Sequence, residues 1–327
     1  MAIRQARTLI WLLGATVVMM LNDYQSLAAG LLLAGIGGEV FLRGVVGLAQ
    51  GLRVSASIIA ATIAAFATSS PEFFVALSSA SAGEPEISLG DALGSNVMNV
   101  ALILGLALMI AAIPAKWQNI RREFIGALLV PLLVGVLAID GKVSRLDGMI
   151  MLAVFFGWLF LIVMEARAQR RAAITAPQGE TGYLKVTVAC LAGLTFLIAG
   201  GHLVVEGARG LTVKYGISEF AIGATIVAAG TSIPELATTV IAQVRGRREI
   251  SLGTILGSNI FNGLWIIGIA AVICPIDVSA WQISIALVAS LLTVLMLVPS
   301  RNGFIGRAHG IGLLIAYMLY ITLVLRK

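Results

Sequence analysis

Charged residues are scarce in this sequence. Asp, Glu, Lys and Arg make up 12% of the 327 residues, against roughly 25% in an ordinary globular domain. A chain that is 59% hydrophobic and has so few charged residues cannot form the polar surface that a soluble protein needs, so we expect it in a lipid bilayer. Apolar stretches of roughly 15 to 28 residues recur from end to end, and a helix needs about 20 to cross the hydrocarbon core. The composition therefore predicts an all-α polytopic membrane protein.

Histidine and cysteine are also rare, with two of each in the chain. Cys190 and Cys274 fall within or at the end of apolar stretches and form no CxxC pair or metal-ligand spacing. This scarcity disfavours a zinc or copper site, because those metals prefer His and Cys ligands. No nucleophile, base and orienting group occur together at a spacing typical of catalysis. We therefore expect neither an enzyme nor a bound cofactor.

Ten apolar stretches predict ten core transmembrane helices. They lie near 27–48, 54–82, 87–113, 124–139, 149–164, 186–205, 217–244, 250–274, 280–298 and 311–325. Ahead of them, residues 8–21 form a shorter apolar run behind Arg4 and Arg7, which fits a signal peptide or an extra anchor helix. We favour the uncleaved N-terminal helix and divide the chain into an anchor (1–25), a first unit (26–165), a linker (166–185) and a second unit (186–327).

Basic residues set the orientation of these helices and do not indicate nucleic-acid binding, since they occupy short segments between spans. With the N-terminus inside, fifteen Lys and Arg lie on the cytoplasmic side, six lie outside and Arg43 falls within the first core span, which accounts for all 22. This bias predicts a cytoplasmic linker at 166–185 and an external Lys142. We find no sign of an obligate protein partner besides the lipid bilayer.

An internal repeat is the strongest signal in the sequence. The segment ATSSPEFF at 67–74 returns as GTSIPELA at 230–237, an offset of 163 residues. The same offset carries the GSN triplet at 94–96 onto 257–259, together with several glycines on either side. Five predicted spans separate each motif from its copy, and an odd number means that the second copy enters the membrane from the opposite side. The chain is therefore predicted to contain two inverted-topology five-helix repeats, the arrangement that secondary transporters use.

Each repeat carries a glutamate, Glu72 or Glu235, near the centre of an apolar span. An ionisable group there costs ~3 kcal/mol or more, so it requires a compensating partner. Pro71 and Pro234 precede the two glutamates, and proline breaks a helix by removing one amide donor. The backbone carbonyls just before each proline are then free to coordinate an ion.

Neutral oxygens accompany both glutamates. Thr68 and Thr231 lie four residues before them, on the same helix face. The following span of each repeat adds a serine and an asparagine at the same spacing, Ser95 with Asn99 and Ser258 with Asn262. Together these groups supply only oxygen ligands, which suit a hard cation such as Ca²⁺ with six to eight ligands.

The paired segments ATSSPE and GTSIPE, each followed by a GSNxxN segment, resemble the α-repeats of the calcium/cation antiporter superfamily, of the prokaryotic sodium/calcium exchanger type. The resemblance extends over the chain from about Leu27. It implies ten core helices in an inner membrane, a central site and exchange of Ca²⁺ for Na⁺. It also implies that Glu72 and Glu235 bind both ions and that the carbonyls of Thr68 and Thr231 complete the calcium site. The flanking sodium ligands that it implies are Ser69, Ser95 and Ala65, with Ser232, Ser258 and Ala228.

The chain departs from the family pattern at residues that bear on its charge. Relatives usually have an aspartate where this chain has Asn262, which leaves Glu72 and Glu235 as the only central carboxylates that we expect. Asp91 stands where the family has Asn, and Thr254 is its copy. We place Asp91 with Glu84 and Glu86 in an acidic mouth or an ordinary solvated loop at the outer end of the second span.

Two alternatives remain open at this stage. Buried glutamates carry protons as readily as sodium, so the exchange of Ca²⁺ or another divalent cation against H⁺ is possible in principle. A passive cation channel is a second alternative, although channels usually take their ligand rings from several subunits. Helices broken in two related repeats favour a carrier.

Overall fold

The structure is a computed structural model that describes residues 22–50, 62, 65–115, 117–172, 183–244, 246, 248–300 and 302–326. The predicted anchor at 8–21 and the first part of the second span lie outside the described residues. The helices of the first half are α1 (Asp23–Gln50), α2 (Ala65–Thr68), α3 (Ser70–Ala82), α4 (Pro85–Val97), α5 (Gly105–Ile110), α6 (Trp117–Leu137) and α7 (Arg145–Ala172). Those of the second half are α8 (Tyr183–Tyr215), α9 (Glu219–Ile222), α10 (Ala228–Thr231), α11 (Ile233–Val244), α12 (Arg248–Ile260), α13 (Ile267–Ile273), α14 (Ala280–Leu295) and α15 (Arg307–Val324).

Each of the ten predicted spans overlaps helix in the described part of the chain. By length and apolarity, five helical segments among the described residues qualify to cross a membrane, or six when a bent pair is taken as one. The count of ten crossings therefore stays a prediction. Helix α7 continues to Ala172 and α8 begins at Tyr183, so both helices extend into the segment predicted as the linker.

In the described part of the chain, three π-helical segments join neighbouring α-helices. They are π1 (Met98–Leu104), π2 (Gly223–Val227) and π3 (Phe261–Ile266). Two of them connect α4 to α5 and α12 to α13, so that each of these spans has one wider turn near its middle. Such segments occur frequently at functional sites, because they change the direction in which side chains point.

The two proline motifs break their helices in the same way. Ser69 separates α2 from α3 with φ −81° and ψ 13°, and Ser232 separates α10 from α11 with φ −81° and ψ 11°. The second break bends the chain by 43°. Each break lies two residues before a proline that cannot donate to the carbonyl four residues back. The predicted interruption of both helices is confirmed.

Two short strand pairs connect distant loops. Strand β1 (Ile113–Pro114) pairs antiparallel with β4 (Phe304–Ile305). Strand β2 (Lys142–Val143) pairs antiparallel with β3 (Ile276–Asp277). The predicted topology puts both members of the first pair inside and both members of the second pair outside, so the pairings agree with the predicted sidedness of these four loops.

The most buried spans are those that carry the GSN triplets. The most apolar window of Pro85–Ile110 is 78% buried and that of Ser251–Ile273 is 83% buried, against 22% for Arg307–Val324. Glycine permits this packing in the first repeat, since a Cβ on Gly94 would lie 2.5 Å from the Cα of Ala224. Gly90 and Gly94 thus allow α4 to approach the second repeat closely. The peripheral spans expose apolar side chains of the kind that lipid covers.

Candidate cation site

The helix breaks bring the two glutamates to the centre of the fold. Glu72 lies in the first turn of α3 and Glu235 in the first turn of α11, and both side chains are fully buried. The N-terminal ends of helices favour negative charge, because their amide groups point toward it. The sequence therefore places each carboxylate where a broken helix stabilises it.

Each repeat donates a hydrogen bond to the glutamate of the other. The hydroxyl of Ser69 donates to Oε1 of Glu235 at 3.0 Å, and that of Ser232 donates to Oε1 of Glu72 at 3.1 Å. These two bonds are related by the 163-residue offset. The repeats are thus interleaved at a single centre, and the predicted residues of both motifs are found together.

The serines of α4 and α12 extend this network. The hydroxyl oxygens of Ser232 and Ser95 lie 3.1 Å apart, and Ser258 donates to Oε1 of Glu235 at 3.4 Å. Ser258 also lies 3.4 Å from the hydroxyl oxygen of Thr68. All of these side chains are buried, so the hydroxyl groups are held close to the carboxylates away from bulk water.

A pair of asparagines fastens α4 to α12. The amide of Asn96 donates to the backbone carbonyl of Asn259 at 3.1 Å, and Asn259 donates back to the carbonyl of Asn96 at 2.9 Å. Asn99 donates to the side-chain oxygen of Asn259 at 3.1 Å. We did not single out Asn96 and Asn259 from the sequence as site residues, although their shared offset is a signal that could have identified them.

Several buried oxygens in this centre have no hydrogen-bond partner in the described part of the chain. They are Glu72 Oε2, Glu235 Oε2, Asp91 Oδ2, Asn99 Oδ1 and Asn262 Oδ1. Unpaired buried acceptors are costly, so a concentration of them indicates a place for a bound cation. No group of three or more His, Cys, Asp or Glu side chains among the described residues is arranged to hold a metal ion. A cation here would therefore need neutral oxygens as well as carboxylates.

Alanine carbonyls lie beside the helix breaks as expected. The hydroxyl of Thr68 donates to the carbonyl of Ala65 at 3.2 Å, and the hydroxyl oxygen of Thr231 lies 3.3 Å from the carbonyl oxygen of Ala228. Both alanines are buried. The geometry brings them next to the threonines, while their role as sodium ligands stays a prediction.

Asp91 belongs to the central site, and its predicted place in an exposed acidic mouth is wrong. Its side chain is fully buried in α4. Thr231 donates to Asp91 Oδ1 at 2.9 Å, and Ser95 donates to the same oxygen at 3.4 Å. The expectation that Glu72 and Glu235 are the only central carboxylates is also wrong. The four-residue spacing between Asp91 and Ser95, which puts both on one helix face, is the signal that could have shown this.

Of the three residues predicted to form the acidic mouth, Asp91 is the one that lies elsewhere. Glu84 and Glu86 are half-buried and line a cavity of about 890 Å³ together with Glu219 and Asp277. Glu84 also forms an ion pair with Arg209 at 3.0 Å. On the first span, Glu39 and Arg43 form an ion pair at 2.8 Å.

Known proteins match both halves of the chain. A family model described as sodium/calcium exchanger protein matches residues 24–164 and again 185–326. CaxA of Alkalimonas amylolytica is 35% identical over 306 residues, which cover 89% of this chain and 95% of CaxA. The inner membrane protein YrbG of Escherichia coli K12 is 32% identical over 91% of this chain and 95% of its own length.

A solved structure has the same fold. The sodium-calcium exchanger NCX_Mj, soaked with 100 mM Na⁺ and 10 mM Sr²⁺, superposes with a TM-score of 0.67 at 29% identity and covers 93% of this chain and 99% of its own. The predicted all-α membrane fold is therefore confirmed. The chain is an integral membrane protein that belongs to the sodium/calcium exchanger family of antiporters.

Proposed function

We propose that this protein exchanges Ca²⁺ for Na⁺ by alternating access at the central site between α3, α4, α11 and α12. The observation that carries the proposal is a cluster of buried oxygens on Glu72, Glu235, Asn99 and Asn262 that have no hydrogen-bond partner in the described part of the chain. Carboxylate and amide oxygens are the ligands that calcium and sodium prefer. The serine hydroxyls and the threonine and alanine carbonyls beside them complete the ligand set that we assign.

The internal repeat supports the proposal of alternating access. The bonds between Ser69 and Glu235 and between Ser232 and Glu72 are equivalent under the 163-residue offset. The family model also matches the chain twice, which supports a division into two units. If the two units have opposite topology, one ion centre can open to either side by a small rearrangement of one unit against the other. We place the protein in the cytoplasmic (inner) membrane of a prokaryote, with Ca²⁺ and Na⁺ as transported substrates.

A second candidate is exchange of Ca²⁺ against protons. It is favoured by the central carboxylates, whose free oxygens accept H⁺ as well as Na⁺. The hydroxyl groups of Ser69 and Ser232 favour sodium, because they add neutral oxygen ligands that a proton carrier does not need.

One experiment separates the two candidates. Purified protein is reconstituted into proteoliposomes, and ⁴⁵Ca²⁺ uptake is measured under an imposed sodium gradient and then under an imposed proton gradient of equal size. We expect uptake with the sodium gradient only. Uptake with the proton gradient only would establish the second candidate instead, and uptake without either gradient in empty liposomes defines the background.

A further inference from the structure

Asp91 makes the two halves of the central site unequal. The 163-residue offset relates it to Thr254, which is also buried but carries no charge. The serine-to-glutamate bonds and the asparagine pair are equivalent in the two repeats. Thr231 donates to Asp91, whereas its counterpart Thr68 lies beside Ser258. The difference is therefore concentrated around one carboxylate.

The structure gives Asp91 hydrogen-bond donors but no neutralising charge. Its Oδ1 accepts from Thr231 and Ser95, and its Oδ2 has no hydrogen-bond partner in the described part of the chain. The ion pairs found among the described residues involve other acids, namely Glu39, Glu84 and Glu123. A buried carboxylate without a cationic partner is strongly unfavourable, so Asp91 is neutralised either by a proton or by a bound cation.

The neighbours of Asp91 have the composition of a small cation site. Ser95 connects Asp91 to Ser232 through hydroxyl groups at 3.4 and 3.1 Å, and Ser232 in turn donates to Glu72. Thr231 links Asp91 to the carbonyl of Ala228. Asp91 is the carboxylate that Ser95 and Thr231 contact directly. One carboxylate with hydroxyls and a carbonyl has a low formal charge, which suits a monovalent ion better than a divalent one.

We propose that Asp91 is a sodium-binding residue specific to one half of the site, and that Ser95, Thr231 and Ser232 share this ion with it. Its charge raises sodium affinity on the Asp91 side, while the other half has Glu235 and, in Thr254, no charged counterpart of Asp91. The assignment rests on the proposed cation exchange but concerns ion binding, which can be measured without transport.

The test is direct ion binding to the purified protein in detergent, with ²²Na⁺ and ⁴⁵Ca²⁺ as probes. The variant is Asp91→Asn, because an amide can still accept from Thr231 while the charge is lost. We expect the sodium Kd to rise about tenfold, equivalent to about 1.4 kcal/mol, and the calcium Kd to change about threefold or less. A sodium Kd that Asp91→Asn leaves unchanged would overturn the proposal, and so would equal losses for sodium and calcium.

The mirror position supplies the matched control. Thr254→Asn introduces the same amide at the equivalent position of the second repeat without removing charge, and we expect its sodium Kd to stay within about twofold of the parent. An equal rise in both variants would show that the amide disturbs packing, and would overturn the assignment. If the parent protein binds sodium as expected but fails to exchange it for calcium, the proposed function is wrong while the sodium assignment to Asp91 stands.

Discussion

Asn96 and Asn259 each donate a side-chain hydrogen bond to the backbone carbonyl of the other, at 3.1 and 2.9 Å. The two residues occupy equivalent positions in the two repeats, two residues before the π-helical segments of their spans begin. The carbonyls that they satisfy are held in the middle of two deeply buried spans, where water cannot replace the bonds. The pair thus fixes the contact between α4 and α12 on which the cation site is built.

Loss of either asparagine amide destabilises the protein. Asn96→Ala leaves the carbonyl of Asn259 without its donor, and we expect a loss of about 1–3 kcal/mol in the free energy of unfolding. Asn259→Ala should cost at least as much, because it also removes the acceptor for Asn99. Thermal unfolding in detergent measures the effect, with Thr195→Ala as the control for a hydroxyl that bonds only within its own helix. Equal unfolding temperatures for Asn96→Ala and Thr195→Ala would contradict the expectation.

Neutralising either central glutamate abolishes exchange. Glu72→Gln and Glu235→Gln keep side-chain size but remove a charge that faces the bound ion. By analogy with a broken buried ion pair, this costs about 3 kcal/mol or more and lowers ion affinity more than about 100-fold. Sodium-driven ⁴⁵Ca²⁺ uptake is the measurement, with Glu206→Gln as a control at an exposed position. Wild-type uptake by either central variant would refute the site, provided that Glu206→Gln is also active.

The predicted topology places the linker and the β2 loop on opposite sides of the membrane. After Cys190 and Cys274 are replaced, Arg170→Cys should react with a membrane-impermeant maleimide only in permeabilised cells. Lys142→Cys should react in intact cells, since it lies at an exposed position in the loop that the positive-inside rule puts outside. Labelling of Arg170→Cys in intact cells would show that the orientation is the reverse of the predicted one.

A carboxylate at position 262 makes transport more sensitive to acid. Both polar atoms of the Asn262 amide lack a hydrogen-bond partner in the described part of the chain, so Asn262→Asp breaks no observed bond. The new acid joins Glu72, Glu235 and Asp91, and repulsion among buried carboxylates favours protonation. We expect half-inhibition of calcium flux by acid to occur about one pH unit higher than in the parent. Superimposable pH profiles would show that residue 262 does not face the ions.

Much of the site could be predicted from the sequence. The internal repeat and the polar residues near the middle of apolar spans are independent signals, and they identify the same residues. Glu72 and Glu235 are conspicuous, since each follows a proline inside an apolar span and has a copy 163 residues away. Asp91 was misplaced because it has no acidic copy and lies only a few residues from the acidic loop that contains Glu84 and Glu86. Its burial depends on how closely α4 packs against π2 through Gly90 and Gly94, which is a tertiary property.

The sequence did not predict the strand pairs or the other acidic residues that line the cavity at Glu84. Two-residue strands carry no periodic pattern, and β2 and β3 meet only because the helices that precede them end at the same side. Glu219 and Asp277 join Glu84 and Glu86 around one cavity from distant parts of the chain. Spacing along a sequence gives no information about contacts between such distant residues, unless an internal repeat relates their positions.

Reversal of the calcium flux tests the central claim most directly. Proteoliposomes loaded with sodium and placed in sodium-free medium with ⁴⁵Ca²⁺ should accumulate calcium, and external sodium added later should release it through the same protein. Both fluxes should saturate with ion concentration and disappear in Glu72→Gln. Calcium movement that follows only its own gradient, regardless of the side on which sodium is present, would contradict coupled exchange and indicate a passive cation channel.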